Sequence, residues 1–284
     1  MPEIIGSIIT DCADKNAQAR QELAFKRLFD GASPTFIGAE SGWETAALEV
    51  GGNLVDQLSV LSSFGDPEDL SAVVFAQAAN RGSEIKKDHE NGTPFCFFRH
   101  EGTLVAATLN PCLSLARDQG LVSEVEVVDV RTVVEAMVRS GGLSRGEAEA
   151  IANTQFRSLE FLPRLARWLV DGRDIPSTTQ KLTHDILPPI HDVVWHVDNF
   201  KNGKTNILPE AIGFEDGKRV ELACGKLAVC HAHLADVKTD EIALTIGSSG
   251  YRDRKWLEVV IGKGCAAEVL GFSVGSPVLK ERVA

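Results

Sequence analysis

Asp174-Ile175-Pro176-Ser177-Thr178-Thr179-Gln180-Lys181-Leu182-Thr183-His184-Asp185-Ile186-Leu187-Pro188-Pro189 divides the chain. Prolines at 176, 188 and 189 cannot donate a backbone hydrogen bond, so they punctuate helices and strands. Upstream of this stretch, apolar runs and helical patterns alternate. Downstream, short β-type runs follow one another and no convincing helix is predicted before Ala266. The reading is an α/β fold class: an N-terminal α/β layered domain (1–175), a linker (176–190) and a smaller C-terminal all-β, barrel-like domain (191–284).

Working back towards residue 1, Ile4–Thr10 is an Ile-rich apolar run, the pattern of a buried strand. Ala17–Phe29 has helical spacing, with Asp14 or Asn16 available as N-cap. Thr35–Ile37 reads as a strand and Trp43–Leu61 as a helix. Gly51-Gly52 costs that helix roughly 1 kcal/mol per residue relative to Ala, so a break is expected there. Ala72–Ala78 is a strand, Phe95–Phe98 with Leu104–Thr108 a hairpin, and Val122–Val130 another strand. Helices are expected at Thr132–Ser140, Ser144–Thr154 and Ser158–Val170, with Ser144 and Glu147 forming a capping box. Working forward, Val193–Val197, Val220–Ala223, Lys226–His231, Glu241–Ile246, Trp256–Ile261 and Val274–Val278 are short β runs separated by Gly, Asn and Asp.

The chain has 284 residues, 44% of them apolar, enough for a full core in each unit. Lys plus Arg is 29 and Asp plus Glu is 40, a formal charge of −11. That balance argues against non-specific binding to phosphate backbones, so no nucleic-acid partner is expected. No apolar run approaches the ~20 residues needed to span a bilayer, and the start has no basic n-region or apolar h-region. Six cysteines form no C-x-x-C pair. They read as reduced thiols of a cytoplasmic protein.

Four constellations carry chemistry. Thr10-Asp11 ends the first strand, where ligands of open α/β sheets sit, and a carboxylate there suits a ribose diol. A helix cap or plain loop carboxylate is the alternative. Asp198-Asn199-Phe200-Lys201-Asn202-Gly203-Lys204-Thr205-Asn206 predicts a tight turn at Asn-Gly. Asp198 could meet an ammonium, and Asn202 offers the donor and acceptor that an adenine edge needs. An ordinary hairpin is the alternative. Gly247-Ser248-Ser249-Gly250-Tyr251 brings hydroxyl and backbone donors together for a carboxylate or phosphate, unless it is only a flexible turn. His231-Ala232-His233, with Asp236 nearby, places two imidazoles on one strand face. No third and fourth ligand stand at a standard spacing, so no metal is expected. The G-x-S-x-G, G-x-G-x-x-G and G-x-x-x-x-G-K-[ST] patterns are absent.

In this order, these segments resemble the S-adenosylmethionine (SAM) hydroxide adenosyltransferases and their relatives, the SAM-dependent chlorinases and fluorinases. Val197–Ile207 resembles the family's D-x-F-G-N-x-x-T-N-I. Ala235-Asp236-Val237 followed by Gly247–Tyr251 resembles A-D-V … N-S-S-G-Y, and Ile9-Thr10-Asp11 matches its first-strand T-D. The resemblance implies an α/β domain with a C-terminal barrel, and a homotrimer binding SAM between the large domain of one subunit and the small domain of the next. It implies no separate cofactor, with SAM as substrate or ligand. Asp11 would hold the ribose hydroxyls, with Asn16 where a second acidic residue usually stands. Trp43 would line the ribose. Asp198 would hold the methionine ammonium, Phe200 and Asn202 would meet adenine, and Ser248 and Ser249 the methionine carboxylate or adenine. The implied chemistry is displacement at the ribose 5′ carbon by hydroxide or halide.

The sequence departs from the family where that nucleophile is activated. The expected Asp stands at Gln77, the expected Arg at Glu84 and the expected His at Arg167. Of P-D-N-G only Asn110 survives. Phe156-Arg157-Ser158 occupies the halide-contacting region, with Phe156 as a substrate-binding candidate. Arg81, Arg157 and Arg167 are the candidate groups for a rearranged nucleophile site. Three readings stay open: an adenosyltransferase or SAM hydrolase, a catalytically degenerate SAM- or adenosine-binding regulator, and an enzyme for another nucleoside on the same scaffold.

Overall fold

The structure is a computed structural model that describes residues 4–42, 44–64, 70–79 and 93–280. The chain divides into two compact units, Met1–Pro188 and Pro189–Ala284.

The first unit begins with β1 (Ile5–Thr10), α1 (Lys15–Leu28), β2 (Thr35–Gly38), α2 (Ala46–Phe64) and β3 (Ala72–Gln77). The hairpin follows as β4 (Phe95–His100) and β5 (Thr103–Thr108), then a 3-10 turn (Pro111–Leu113) running into α3 (Ser114–Asp118). β6 (Glu124–Val128), α4 (Val130–Arg139), α5 (Arg145–Asn153), α6 (Arg157–Glu160), α7 (Leu162–Val170) and β7 (Thr178–Lys181) complete it. Among the described residues seven strands form one sheet in the order β2-β1-β3-β5-β4-β6-β7. β2, β1, β3 and β5 run parallel to one another. β4, β6 and β7 are joined by antiparallel pairs.

Local chemistry explains these elements. The Asp14 side chain accepts hydrogen bonds from the backbone N–H of Asn16 and Ala17 and so starts α1. Ser144 and Glu147 form the expected reciprocal capping box at α5. Phe25 of α1 stacks on Phe29 at 4.3 Å and meets Phe75 of β3 edge-on at 5.8 Å. All three rings are buried with Ile8, Leu104, Phe161 and Leu165. Each such side chain contributes roughly 1.5–3 kcal/mol by leaving water.

Several expectations are corrected. The stretch expected as linker contributes β7, which pairs with β6, and the first unit runs on to Pro188. Thr178 and Thr179 favour extended backbone, and the Ser177 and Thr179 hydroxyls donate to Glu126 at 2.6 Å each. α2 passes through Gly51-Gly52 unbroken. A Cβ at Gly51 would stand 2.8 Å from the Cys112 carbonyl oxygen, so the missing side chain lets helix and turn approach. The helix expected over Ser158–Val170 is two helices, because Pro163 has no N–H to continue a bond and sits in the first turn of α7.

The second unit contains β8 (Val194–Val197), β9 (Gly203–Thr205), β10 (Arg219–Glu221), β11 (Leu227–His231), β12 (Ile242–Tyr251), β13 (Arg254–Ile261) and α8 (Ala266–Leu270). The strand order is β10-β11-β12-β13-β9-β8. Pro277 bridges to Val193 beside β8, and Leu279 bridges to Leu222 beside β10. One segment therefore ties both edge strands and closes the sheet in a barrel-like way. Val194, Leu222, Leu244, Leu257, Val259 and Val278 fill its core. The expected strand at Val274–Val278 is reduced to these bridges. Among the described residues no helix is long and apolar enough to cross a membrane.

Candidate functional site

In the first unit the chain leaves β1 to form β2 on one side and returns to form β3 on the other. The strand order thus reverses at β1, and the crevice outside the carboxyl ends of β1 and β3 is where such sheets bind ligands. Asp11 lies there. Its backbone N–H donates to the Gln77 carbonyl at 3.2 Å, and its Oδ2 accepts from the Ala79 N–H at 2.8 Å. The carboxylate therefore spans the switch point. Among the described residues its Oδ1 carries no hydrogen bond, which leaves it open to a diol.

Asn110 reaches the same edge from β5 but is largely committed. Its Nδ2 donates to the Ala78 carbonyl at 2.6 Å, and its Oδ1 accepts from the Cys112 N–H at 2.9 Å. It ties the ends of β3 and β5 together and caps the 3-10 turn. Asn16 is exposed in the first turn of α1. Phe156 is half-buried under the Arg20 guanidinium, 5.2 Å from the ring centroid. Arg157 lies over Phe95 at 5.8 Å, and Phe95 is paired with Thr108 at the same edge. Among the described residues the Arg157 side chain makes no hydrogen bond or ion pair, and burial lowers its pKa.

Arg167 is elsewhere. It bonds the Leu28 carbonyl and Asp30 at 3.2 Å each, and pairs with Asp171 at 3.0 Å. Since α1 runs back from the carboxyl edge, Leu28 and Asp30 mark the opposite edge of the sheet. Arg167 thus pins α7 to the end of α1, and the structure removes it as a candidate nucleophile-site group. Trp43 and Arg81 lie outside the described residues, as does Glu84.

In the sequence Gln77 reads only as a replacement for an acid. In the structure it is 3% exposed, and among the described residues neither its Nε2 nor its Oε1 has a hydrogen-bond partner. It aligns with Thr10 on β1, at the last position of β3. An amide buried in this way costs about 1–3 kcal/mol.

In the second unit the turn falls at 199–201, one step earlier than Asn202-Gly203. Lys201, at φ 66°, turns the chain, and Gly203 already belongs to β9. Asp198 organises this turn. Its Oδ1 accepts from the N–H of Phe200 and of Asn202 at 2.9 Å each, and its Oδ2 accepts from Asn202 Nδ2 at 3.3 Å. Asp198 and Asn202 are thereby brought together, and Phe200 projects from the turn 70% exposed.

Gly247–Tyr251 is not a flexible turn. It is the end of β12, where pairing with β13 shifts register between Ile246 and Gly250. That bulge exposes Ser248 and buries Ser249. The Ser248 N–H donates to Glu258 Oε1 at 3.3 Å, and Lys204 Nζ donates to Ser249 Oγ at 2.9 Å. Lys204 was missed because a lysine in a polar run reads as a solvated residue. His231 closes β11, and its Nε2 lies 3.0 Å from Glu241 Oε2, while His233 stands outside the strand. Among the described residues no three His, Cys, Asp or Glu side chains are grouped to hold a metal ion.

Two solved structures share the fold. An uncharacterized conserved protein from Thermotoga maritima superposes with a TM-score of 0.65 at 17% identity, over 95% of this chain and 97% of that one. A conserved hypothetical protein from Thermus thermophilus gives 0.61 at 15% identity, over 98% and 99%. A search of curated proteins finds no match. Residues 193–279 match the family model of the SAM hydroxide adenosyltransferase C-terminal domain. The match covers β8 through the closing segment and includes Asp198, Asn202, Ser248 and Ser249, and it suggests a SAM-related function. By this match the second unit is similar to the C-terminal domain of the SAM hydroxide adenosyltransferases.

Proposed function

We propose that the protein binds SAM and displaces methionine from the ribose 5′ carbon, with hydroxide as nucleophile and adenosine and methionine as products. The observation that carries this reading is the family match over residues 193–279. It is supported by Asp11, which stands at the switch point of the first sheet with one oxygen that bonds none of the described residues.

In the proposed step a C5′–O bond forms as the C5′–S bond breaks. The bonding pair stays on sulfur, giving neutral methionine thioether, and the surplus proton of water passes to solvent. The sulfonium is already an activated leaving group, so the protein's task is alignment and exclusion of water. Holding a near-attack geometry can contribute up to about 7–11 kcal/mol. Asp11 would accept from the ribose hydroxyls, Asp198 from the methionine ammonium, and Asn202 with Phe200 would meet adenine. Arg157, half-buried and without an anionic partner among the described residues, is the candidate to attract an anionic nucleophile. A homotrimer is part of the proposal, tested by light-scattering mass.

A second reading, a SAM or adenosine binder without turnover, is favoured by one observation. Gln77 stands where an activating acid is expected, and a carboxamide cannot take a proton from water. Mass spectrometry of the purified protein with SAM, with and without chloride, separates the two when run beside calorimetric titration of SAM and adenosine. Adenosine formed above the rate without protein supports turnover, and 5′-chloro-adenosine would name halide as the nucleophile. Binding without product supports the silent binder, and neither binding nor product refutes both readings.

A further inference from the structure

We propose that Lys204 is a specificity-determining cation of the C-terminal unit, which receives the carboxylate of an amino-acid-bearing nucleoside ligand. This rests on the adenosyl-ligand reading above and names which part of the ligand the second unit selects.

Lys204 occupies the middle of β9, between β13 and β8. Its ammonium donates to Ser249 Oγ at 2.9 Å and lies 5.8 Å from the centroid of the Trp195 ring. An ammonium carries three donors, and this uses one of them on a protein oxygen. The residue is half-buried, yet among the described residues no carboxylate pairs with it. Its in-register neighbour on β13 is Glu258, the natural partner across a strand pair. Glu258 Oε1 is turned to the Ser248 N–H instead. In a chain with 40 acidic and 29 basic residues, a half-buried cation beside a glutamate has no counter-ion among the described residues.

The neighbouring strand adds a second observation. Pairing of β8 with β9 shifts register between Val194 and His196, so Trp195 is the extra residue of a bulge beside Lys204. Trp195 is 1% exposed, and among the described residues its indole N–H has no acceptor. A buried donor without an acceptor is costly, about 1–3 kcal/mol. Cation and indole N–H thus come from β9 and β8, beside the Ser249 hydroxyl of β12, with acceptors for these two under-supplied among the described residues. A single positive charge flanked by neutral donors complements a monoanion, and a carboxylate offers two oxygens for them.

The test compares SAM, decarboxylated SAM and adenosine by calorimetry on the wild-type chain, Lys204→Met and Ser249→Ala, with a thermal melt of each. Lys204→Met should weaken SAM binding about 10- to 100-fold, the range of a lost charge-assisted hydrogen bond, and leave adenosine and decarboxylated SAM within about twofold. Ser249→Ala keeps the charge and removes its positioning hydroxyl, so a smaller loss confined to SAM is expected. Equal losses for all three ligands in both variants, or no loss for SAM, would overturn the assignment of Lys204 while leaving the adenosyl reading intact. A wild-type chain that binds none of the three would overturn that reading and this one with it.

Discussion

Gly250→Ala, compared with Gly247→Ala, tests whether the bulge in β12 is built into the backbone. Gly250 sits at φ 108°, outside the region that side-chain-bearing residues occupy. A Cβ there would stand 2.5 Å from the Arg254 carbonyl oxygen and 3.1 Å from the Lys255 Cα and the Trp256 nitrogen. All three are backbone atoms of the paired strand and cannot swing aside. Strain of about 1–3 kcal/mol at such a torsion adds to about 1–3 kcal/mol of overpacking. The gain from a stiffer unfolded chain is only about 0.4–1 kcal/mol. The net cost is therefore about 1–5.6 kcal/mol, about 3 kcal/mol at the middle of these ranges. At Gly247 the contact is with the Glu258 side chain, 2.6 Å from its Cγ, and that side chain can rotate away. The exposed hydrogen bond from Ser248 is loosened, at about 0.5–1.5 kcal/mol. Hydrogen exchange of the peptide spanning 242–261 reads the difference directly. Gly250→Ala should raise exchange about 150-fold, from the middle of its range, and Gly247→Ala about 10-fold, at 1.36 kcal/mol per decade. Equal exchange in the two variants would refute the argument.

Other outcomes follow from single contacts. Asp11→Ala should weaken adenosyl-ligand binding by about 1.5–3 kcal/mol in a calorimetric titration, through loss of the open oxygen and of the bond that fixes Ala79. The Ser177 and Thr179 hydroxyls hold the Glu126 carboxyl below its ordinary pKa of 4.5. A depressed folded value means that its stabilisation is complete above the ordinary value and is lost as pH falls through the folded one. Exchange of the β7 amides should therefore rise on acidification below about 4.5, and Glu126→Gln should flatten that response. Burial pushes the Cys112 thiol up to about 12 and Cys96 well above its usual range, whereas Cys224 is exposed. A thiol reagent at mildly alkaline pH should label Cys224 in the folded chain, and Cys96 and Cys112 only after denaturation.

The sequence made legible those elements whose signals are local. The Ile-rich run before Asp11, the Asp14 cap, the Ser144 and Glu147 box and the hairpin before Thr108 each carry their instruction within a few residues. Elements held by partners far along the chain were not legible. β7 is Thr-Thr-Gln-Lys and β9 is Gly-Lys-Thr, polar runs that become strands because β6, and β8 with β13, supply hydrogen bonds. Glycines at 247 and 250 read as turn residues, although they make close packing possible within a bulged strand. The site divides in the same way. Asp11 could be placed from topology, whereas the commitment of Asn110 to Ala78, of Arg167 to Asp30 and of Asp198 to its own turn depends on geometry. Among the described residues, the lack of a partner at the Gln77 amide and of a carboxylate at Lys204 depends on geometry as well.

The bridges from Pro277 and Leu279 have a consequence for folding. Val193 and Pro277 are 84 positions apart, 277 less 193, and the loop between them must close before that contact forms. Until residues 277–279 dock, β8 and β10 both present unpaired edges that can template pairing between molecules. Docking of this one segment should therefore be a late step, and the species that lacks it the one most prone to aggregate as the protein refolds at high concentration.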